Sequence, residues 1–214
     1  MTPLWHPSPN FGPRRDGLTP QIVVIHYTAM QSTQAARDWL CNPASEVSAH
    51  YLICPAGSVV QMVEEGMRAW HAGAGRWRDF TDVNSASIGI ELANTGDAPF
   101  PEPQIAALER LLQGIVTRHG IKPDNVIGHS DMAPGRKIDP GPRFDWRRLA
   151  YRGLAAWPQA GRTDGDFRAA AMAAGYTAEV DDETMLAAIR LRFRPWAEGP
   201  AAPEDIACLT GLCA

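Results

Sequence analysis

Cysteine is scarce in this chain: four residues in 214 (Cys41, Cys54, Cys208 and Cys213), none of them in a CxxC pair. Four scattered thiols do not make a disulfide scaffold or a cysteine metal knuckle. Free thiols are the expectation, with Cys208 and Cys213 the pair that an oxidising compartment would bridge. Long apolar runs are also missing. No stretch approaches the roughly 18 residues needed to cross a bilayer, which excludes a membrane-spanning helix. Nor is there a basic excess. With 20 Lys and Arg against 24 Asp and Glu, the net charge is −4, so the chain carries no electrostatic footprint for nucleic acid. The first twenty residues are proline-rich, include Arg14 and Arg15, and hold no apolar segment of the kind a secretory signal needs. A cytoplasmic protein is the expectation. The alternative is a periplasmic or outer-membrane location, had such a signal been removed.

What is present is an ordinary globular composition, 45% apolar and 21% charged, at a length that suits one medium domain and an appendage. Charge marks the division. From Thr163 onward four arginines face nine acids, whereas the first 162 residues hold 16 basic and 15 acidic side chains. Pro158, Gly161 and Gly165 punctuate the junction, so the expected domains are 1–160 and 163–214.

In the first of these, the β-branched run Ile22–Tyr27 reads as a strand covered on both faces. Ser32 is placed to cap a helix through Leu40. Strands are expected over Ala49–Ile53, Val59–Val63, Ser87–Ala93 and Asn125–His129, with a hairpin turn at Pro55-Ala56-Gly57. Ile105, Leu108, Leu112 and Ile115 recur at helical spacing behind Pro103, and Gly120 is the stop. Another helix is expected around Phe144–Tyr151. This order implies an α/β fold with a central mixed β-sheet flanked by helices. Past Thr163, three short helices (from Phe167 to Gly175, from Asp182, and over Glu204–Leu209) read as a small three-helix domain.

Three side chains carry metal-ligand chemistry. His26 ends the first long strand, His129 ends a later one, and Asp139 lies ten residues on in the turn-rich loop PGRKIDPGP. Two histidines and a carboxylate make a three-ligand zinc set with a fourth position left for water. A lone histidine at a strand end is equally at home as a buried, hydrogen-bonded residue. Glu91 stands among small residues in an otherwise apolar strand, where an ionised carboxylate is costly unless it is used. Such an acid beside a metal site suits activation of water. Lys137, two residues before Asp139, suits stabilisation of an oxyanion.

The segments HYTA at His26, SAHYLI at His50, WHAG at His71, SIGIELAN at Glu91 and GHSDMAPGRKIDPGPRFDW from Gly128 resemble the type 2 zinc N-acetylmuramoyl-L-alanine amidases. The resemblance covers roughly residues 5–152 and is closest to the muropeptide-recycling and envelope branch. It implies zinc on His26, His129 and Asp139, water activation by Glu91, and a tetrahedral intermediate steadied by Lys137. The bond cut would join N-acetylmuramic acid, or its 1,6-anhydro form, to L-alanine in peptidoglycan or its turnover fragments. Trp70, His71 and Arg136 are expected to contact substrate, and His50 to organise the core. More distant phage amidases carry Cys where Asp139 stands and Tyr where Ala49 stands, so Ala49 has no catalytic role. The tail is similar to a small peptidoglycan-binding helical module, the alternative being a layer that packs on the catalytic domain. A non-catalytic peptidoglycan-recognition protein is the competing function. Retention of all five residues, His26, His129, Asp139, Glu91 and Lys137, favours the enzyme.

Overall fold

Side chains alternate across each central strand, and that alternation decides how the chain is layered. The computed structural model describes residues 2–213. In chain order the elements begin with β1 (Leu4–Trp5), β2 (Phe11–Pro13), β3 (Ile22–Tyr27), α1 (Thr33–Leu40), β4 (Tyr51–Ile53), β5 (Val59–Gln61), β6 (Met67–Ala69), α2 (Val83–Ala86) and β7 (Ser87–Leu92). They continue with α3 (Glu102–His119), β8 (Val126–Gly128), α4 (His129–Met132), α5 (Trp146–Tyr151), α6 (Phe167–Ala174), α7 (Asp182–Phe193) and α8 (Pro203–Leu212). Six strands form one mixed sheet in the order β1-β5-β4-β7-β3-β8. Its pairings are parallel except for the β4–β5 hairpin. A separate antiparallel pair joins β2 to β6.

One face of the sheet is mostly apolar. Val23 and Ile25 of β3 and Ile88, Ile90 and Leu92 of β7 pack under Leu108, Leu112 and Ile115 of α3 and Leu149 of α5. Each such side chain contributes about 1.5–3 kcal/mol when fully buried. Helix α3 is the one its apolar spacing predicts, and Gly120 ends it at φ +64°, a conformation that a Cβ disfavours. Helix α1 begins where expected, with Ser32 accepting from the Ala35 amide.

The other face has two covers with a gap between them. Leu52 and Val60 lie beneath Ala36 and Leu40 of α1. At the other end Ile22, Val24 and Ile127 share a core with Phe167 of α6, Ile189 and Phe193 of α7, and Leu209 of α8. Among the described residues, buried apolar side chains of the tail therefore join a cluster with those of the sheet. In the gap the strands present polar residues: Ser87 and Glu91 of β7, His26 of β3, and His50 just before β4.

The tail is also tied in by charge. Arg192 of α7 donates to Asp131 of α4 at 2.7 Å and lies 3.9 Å above the Trp146 ring. The Tyr176 hydroxyl donates to the other Asp131 oxygen at 2.8 Å. Two features depart from the expected elements. His129 opens the short helix α4 and does not close a strand, because the Gly128 amide is taken by the Asp131 carboxylate at 2.8 Å. The helix expected from Phe144 starts at Trp146, where Asp145 caps it through the Arg148 amide.

Candidate active site

The donor atoms come from three elements at one end of the sheet. His26 is the penultimate residue of β3, and its register partner on β7 is Glu91. His129 begins α4, one strand away on the other side of β3. The loop after α4 returns Asp139 to it, held by the bond from the Ser130 amide to the Asp139 carbonyl at 3.0 Å. As a result His26 Nδ1, His129 Nδ1 and Asp139 Oδ2 converge, with separations of 2.9, 2.8 and 3.1 Å. All three residues are buried.

The protonation of these groups decides what the cluster can hold. His129 Nε2 donates to the Ala72 carbonyl at 2.9 Å, which leaves the Nδ1 of a neutral ring with a bare lone pair. Burial, reinforced by neighbouring His129, pushes the His26 imidazole down to about 4, so His26 is neutral near pH 7. Lone pairs and a carboxylate meeting in a buried space repel one another unless a cation sits among them. Two imidazole nitrogens and one carboxylate oxygen fit a transition metal and leave a further coordination position open.

Glu91 and Lys137 line the same cavity, of about 550 Å³. Burial, helped by the Asp139 charge, pushes the Glu91 carboxyl up to about 8, while Lys137 opposes the shift. Glu91 Oε2 is buried without a hydrogen-bond partner among the described residues. Lys137 is exposed on the loop between Met132 and Asp139. Trp70 also lines the cavity. Arg136 does too, but its guanidinium donates to the Ala72 carbonyl at 2.6 Å and to that of Ala74, bracing the WHAG loop. His71 lines the cavity as well and stands against His26, with its Nδ1 3.0 Å from His26 Nε2. His50 is buried and bonded to the Gly89 amide and the Met67 carbonyl.

Sequence reasoning missed the apolar side of the cavity. Trp39 of α1 and Ile138 line it while 50% and 59% exposed, so large apolar surfaces stand open at its mouth. The available signal was a tryptophan lying off the Ala36–Leu40 stripe that α1 buries.

Comparison with known proteins identifies the family. The model of the N-acetylmuramoyl-L-alanine amidase family matches residues 16–142. The chain belongs to that family. It is 43% identical to the N-acetylmuramoyl-L-alanine amidase AmiD of Escherichia coli (strain K12) over 161 residues, 67% of this chain and 57% of AmiD. The match thus spans little more than half the length of that relative. It is 35% identical to the 1,6-anhydro-N-acetylmuramyl-L-alanine amidase AmpD of Enterobacter cloacae over 160 residues, 67% of this chain and 86% of AmpD. Among solved structures, AmiD from E. coli, in complex with the substrate anhydro-N-acetylmuramic acid-L-Ala-D-γ-Glu-L-Lys, superposes with a TM-score of 0.81 and 35% identity, covering 92% of this chain and 90% of that one. AmpDh3 from Pseudomonas aeruginosa does so with a TM-score of 0.82 and 32% identity, covering 97% and 94%. Coverage that high takes in the helices after Thr163 as well as the sheet.

Proposed function

We propose that this protein is a zinc-dependent hydrolase that cuts the amide bond between N-acetylmuramic acid, or its 1,6-anhydro form, and the L-alanine of a stem peptide. The observation that carries the reading is the convergence of His26 Nδ1, His129 Nδ1 and Asp139 Oδ2 beside an unpartnered Glu91 carboxylate oxygen. Zinc held by these three side chains would polarise the scissile carbonyl and lower the pKa of water. A cation held beside Glu91 would offset the burial and keep its carboxyl ionised, so that Glu91 would take the proton of the attacking water and deliver it to the leaving amide nitrogen. One water is consumed, giving a lactyl carboxylic acid on the sugar and a free L-alanine amine on the peptide. Lys137 supplies positive charge for the developing oxyanion. Trp39, Ile138 and Trp70 offer apolar surface to the substrate. A recognition protein without catalysis has no use for a buried, unpaired Glu91.

For residues 163–214 we propose a packing role in place of wall binding, supported by the core that Ile189 and Phe193 share with Ile22 and Ile127. We also propose that the protein works on turnover fragments in the cytoplasm, supported by its four free thiols, Cys208 and Cys213 among them. Fractionation that found it in the periplasm would overturn the location.

The test of the activity is a digest of anhydro-N-acetylmuramic acid-L-Ala-D-γ-Glu-L-Lys and of purified sacculi, resolved by mass spectrometry. The expected result is a muropeptide split with the gain of one water into sugar acid and tripeptide, abolished by a chelator and restored by zinc. An intact muropeptide after incubation with the zinc-loaded protein would overturn the reading.

A further inference from the structure

The Nδ1 of His26 serves as a metal ligand only if the ring proton is on Nε2, and the structure contains a chain of groups that puts it there. Ser87 has one hydroxyl proton, which Oγ donates to the Val83 carbonyl at 2.5 Å. Ser87 Oγ therefore accepts from His71 Nε2, 3.1 Å away. A neutral imidazole carries a single ring proton. With that proton on Nε2, His71 Nδ1 is a bare acceptor facing His26 Nε2 at 3.0 Å. The proton between the two rings belongs to His26 Nε2, and His26 Nδ1 keeps its lone pair, aimed at His129 Nδ1 and Asp139 Oδ2.

The adjoining residue does the same for the second histidine. The Ala72 carbonyl accepts from His129 Nε2 at 2.9 Å. Both residues of this segment are pinned by one side chain, since Asn84 Oδ1 accepts from the His71 amide at 2.9 Å and the Ala72 amide at 2.8 Å. Val83 and Asn84 belong to α2, and Ser87 follows directly as the first residue of β7. Room for the His71 ring comes from Gly89, where a Cβ would lie 2.4 Å from His71 Cγ. That close approach is the reason for a glycine in the middle of β7.

We propose that His71 is a positioning residue: with Ser87 and the Val83 carbonyl it fixes the tautomer and ring orientation of His26 for metal binding, while Ala72 does so for His129. The proposal rests on the metal centre described above. It adds a second role to the expectation that His71, which also lines the cavity, contacts substrate.

The test uses the full chain, freed of metal. Nitrogen-15 NMR of the histidine rings should show the proton on Nε2 of both His26 and His71. Zinc affinity, measured by competition with a chromophoric chelator, should fall about 10–100-fold in His71→Phe, the usual cost of losing a partner behind a metal ligand. His71→Gln should recover most of that loss, because its amide can accept from His26 and donate to Ser87, whereas a purely space-filling role would be better served by phenylalanine. A wild-type protein with the proton on Nδ1 of either ring, or a folded His71→Phe with unchanged zinc affinity, would overturn the proposal. If wild-type protein bound no zinc, the metal centre itself would be lost, and the ring protons would still decide the relay.

Discussion

His26 and Glu91 face one another across the β3–β7 ladder, register partners on adjacent parallel strands with both side chains on the same face. Neighbouring strands are about 4.8 Å apart, so the backbone itself sets the spacing between a metal ligand and the acid beside it. Neither residue depends on a flexible loop for its place.

Glu91→Gln keeps the shape of the side chain and removes its basicity. We expect kcat to fall by about 10²–10⁴, the range for loss of a general base, with zinc content unchanged. Near-normal kcat in this variant would mean that another group accepts the proton.

Lys137→Met should behave differently from a change of ligand. Loss of one oxyanion-stabilising group costs about 10²–10³ in kcat, and Lys137 touches none of the three donor atoms, so zinc affinity should stay at the wild-type value. Steady-state kinetics beside a chelator titration separates the two roles, and a loss of zinc with a normal kcat in the loaded protein would reject the assignment.

Asp131 and Arg192 test the packing of the tail. Both are almost fully buried, and Arg192→Met leaves the Asp131 carboxylate with the Gly128 amide and the Tyr176 hydroxyl but no cation. Breaking a buried pair from one side costs about 3–5 kcal/mol, which denaturant unfolding would read directly. Adding Asp131→Asn should return part of the loss. If Arg192→Met unfolds at the wild-type midpoint, α7 does not hold α4 in place.

Stability should fall in mild acid, and His50 is one source. Burial pushes its imidazole down to about 3, Arg14 also disfavours its charge, and the Met67 carbonyl and Glu65 only partly oppose this. Between about 3 and 6.5 the unfolded chain binds a proton at His50 that the folded chain does not. Stability is therefore full above 6.5 and declines as pH is lowered through that window, by up to about 1.4 kcal/mol per pH unit for one proton. Unfolding at pH 5 to 7.5 should show a shallower decline in His50→Gln, and an equal slope in both proteins would place the titration elsewhere.

Much of this was legible from periodicity. Ile22–Tyr27 and the α3 stripe announce themselves because their apolar residues repeat at the strand and helix periods. The candidate site was legible because two histidines and a carboxylate at the ends of elements make a metal-ligand set together, which none of them does alone, and because Glu91 is an acid inside an otherwise apolar strand. What stayed hidden depends on contacts distant in sequence. The short strands β2 and β6 have three residues each, too few to show a period. The glycine at position 89 looks like a wall of the pocket until the ring from position 71 is seen against it. Arg136 reads as a substrate contact because nothing in its neighbourhood tells that the carbonyls of Ala72 and Ala74 accept from it. The tail reads as a separate bundle because Phe167, Ile189 and Phe193 have the spacing of a self-contained core, while Ile22, Val24 and Ile127, which share their cluster, stand far earlier in the chain.

On this reading His26, His129 and Asp139 hold one catalytic metal ion. The most direct measurement titrates zinc into metal-free protein and follows muropeptide cleavage at each addition. Activity should rise in proportion to zinc and level off at about one ion per chain, the stoichiometry of a single three-ligand site, and His129→Ala should neither bind nor cleave. Cleavage by metal-free protein, or by an active and metal-free His129→Ala, would contradict the account.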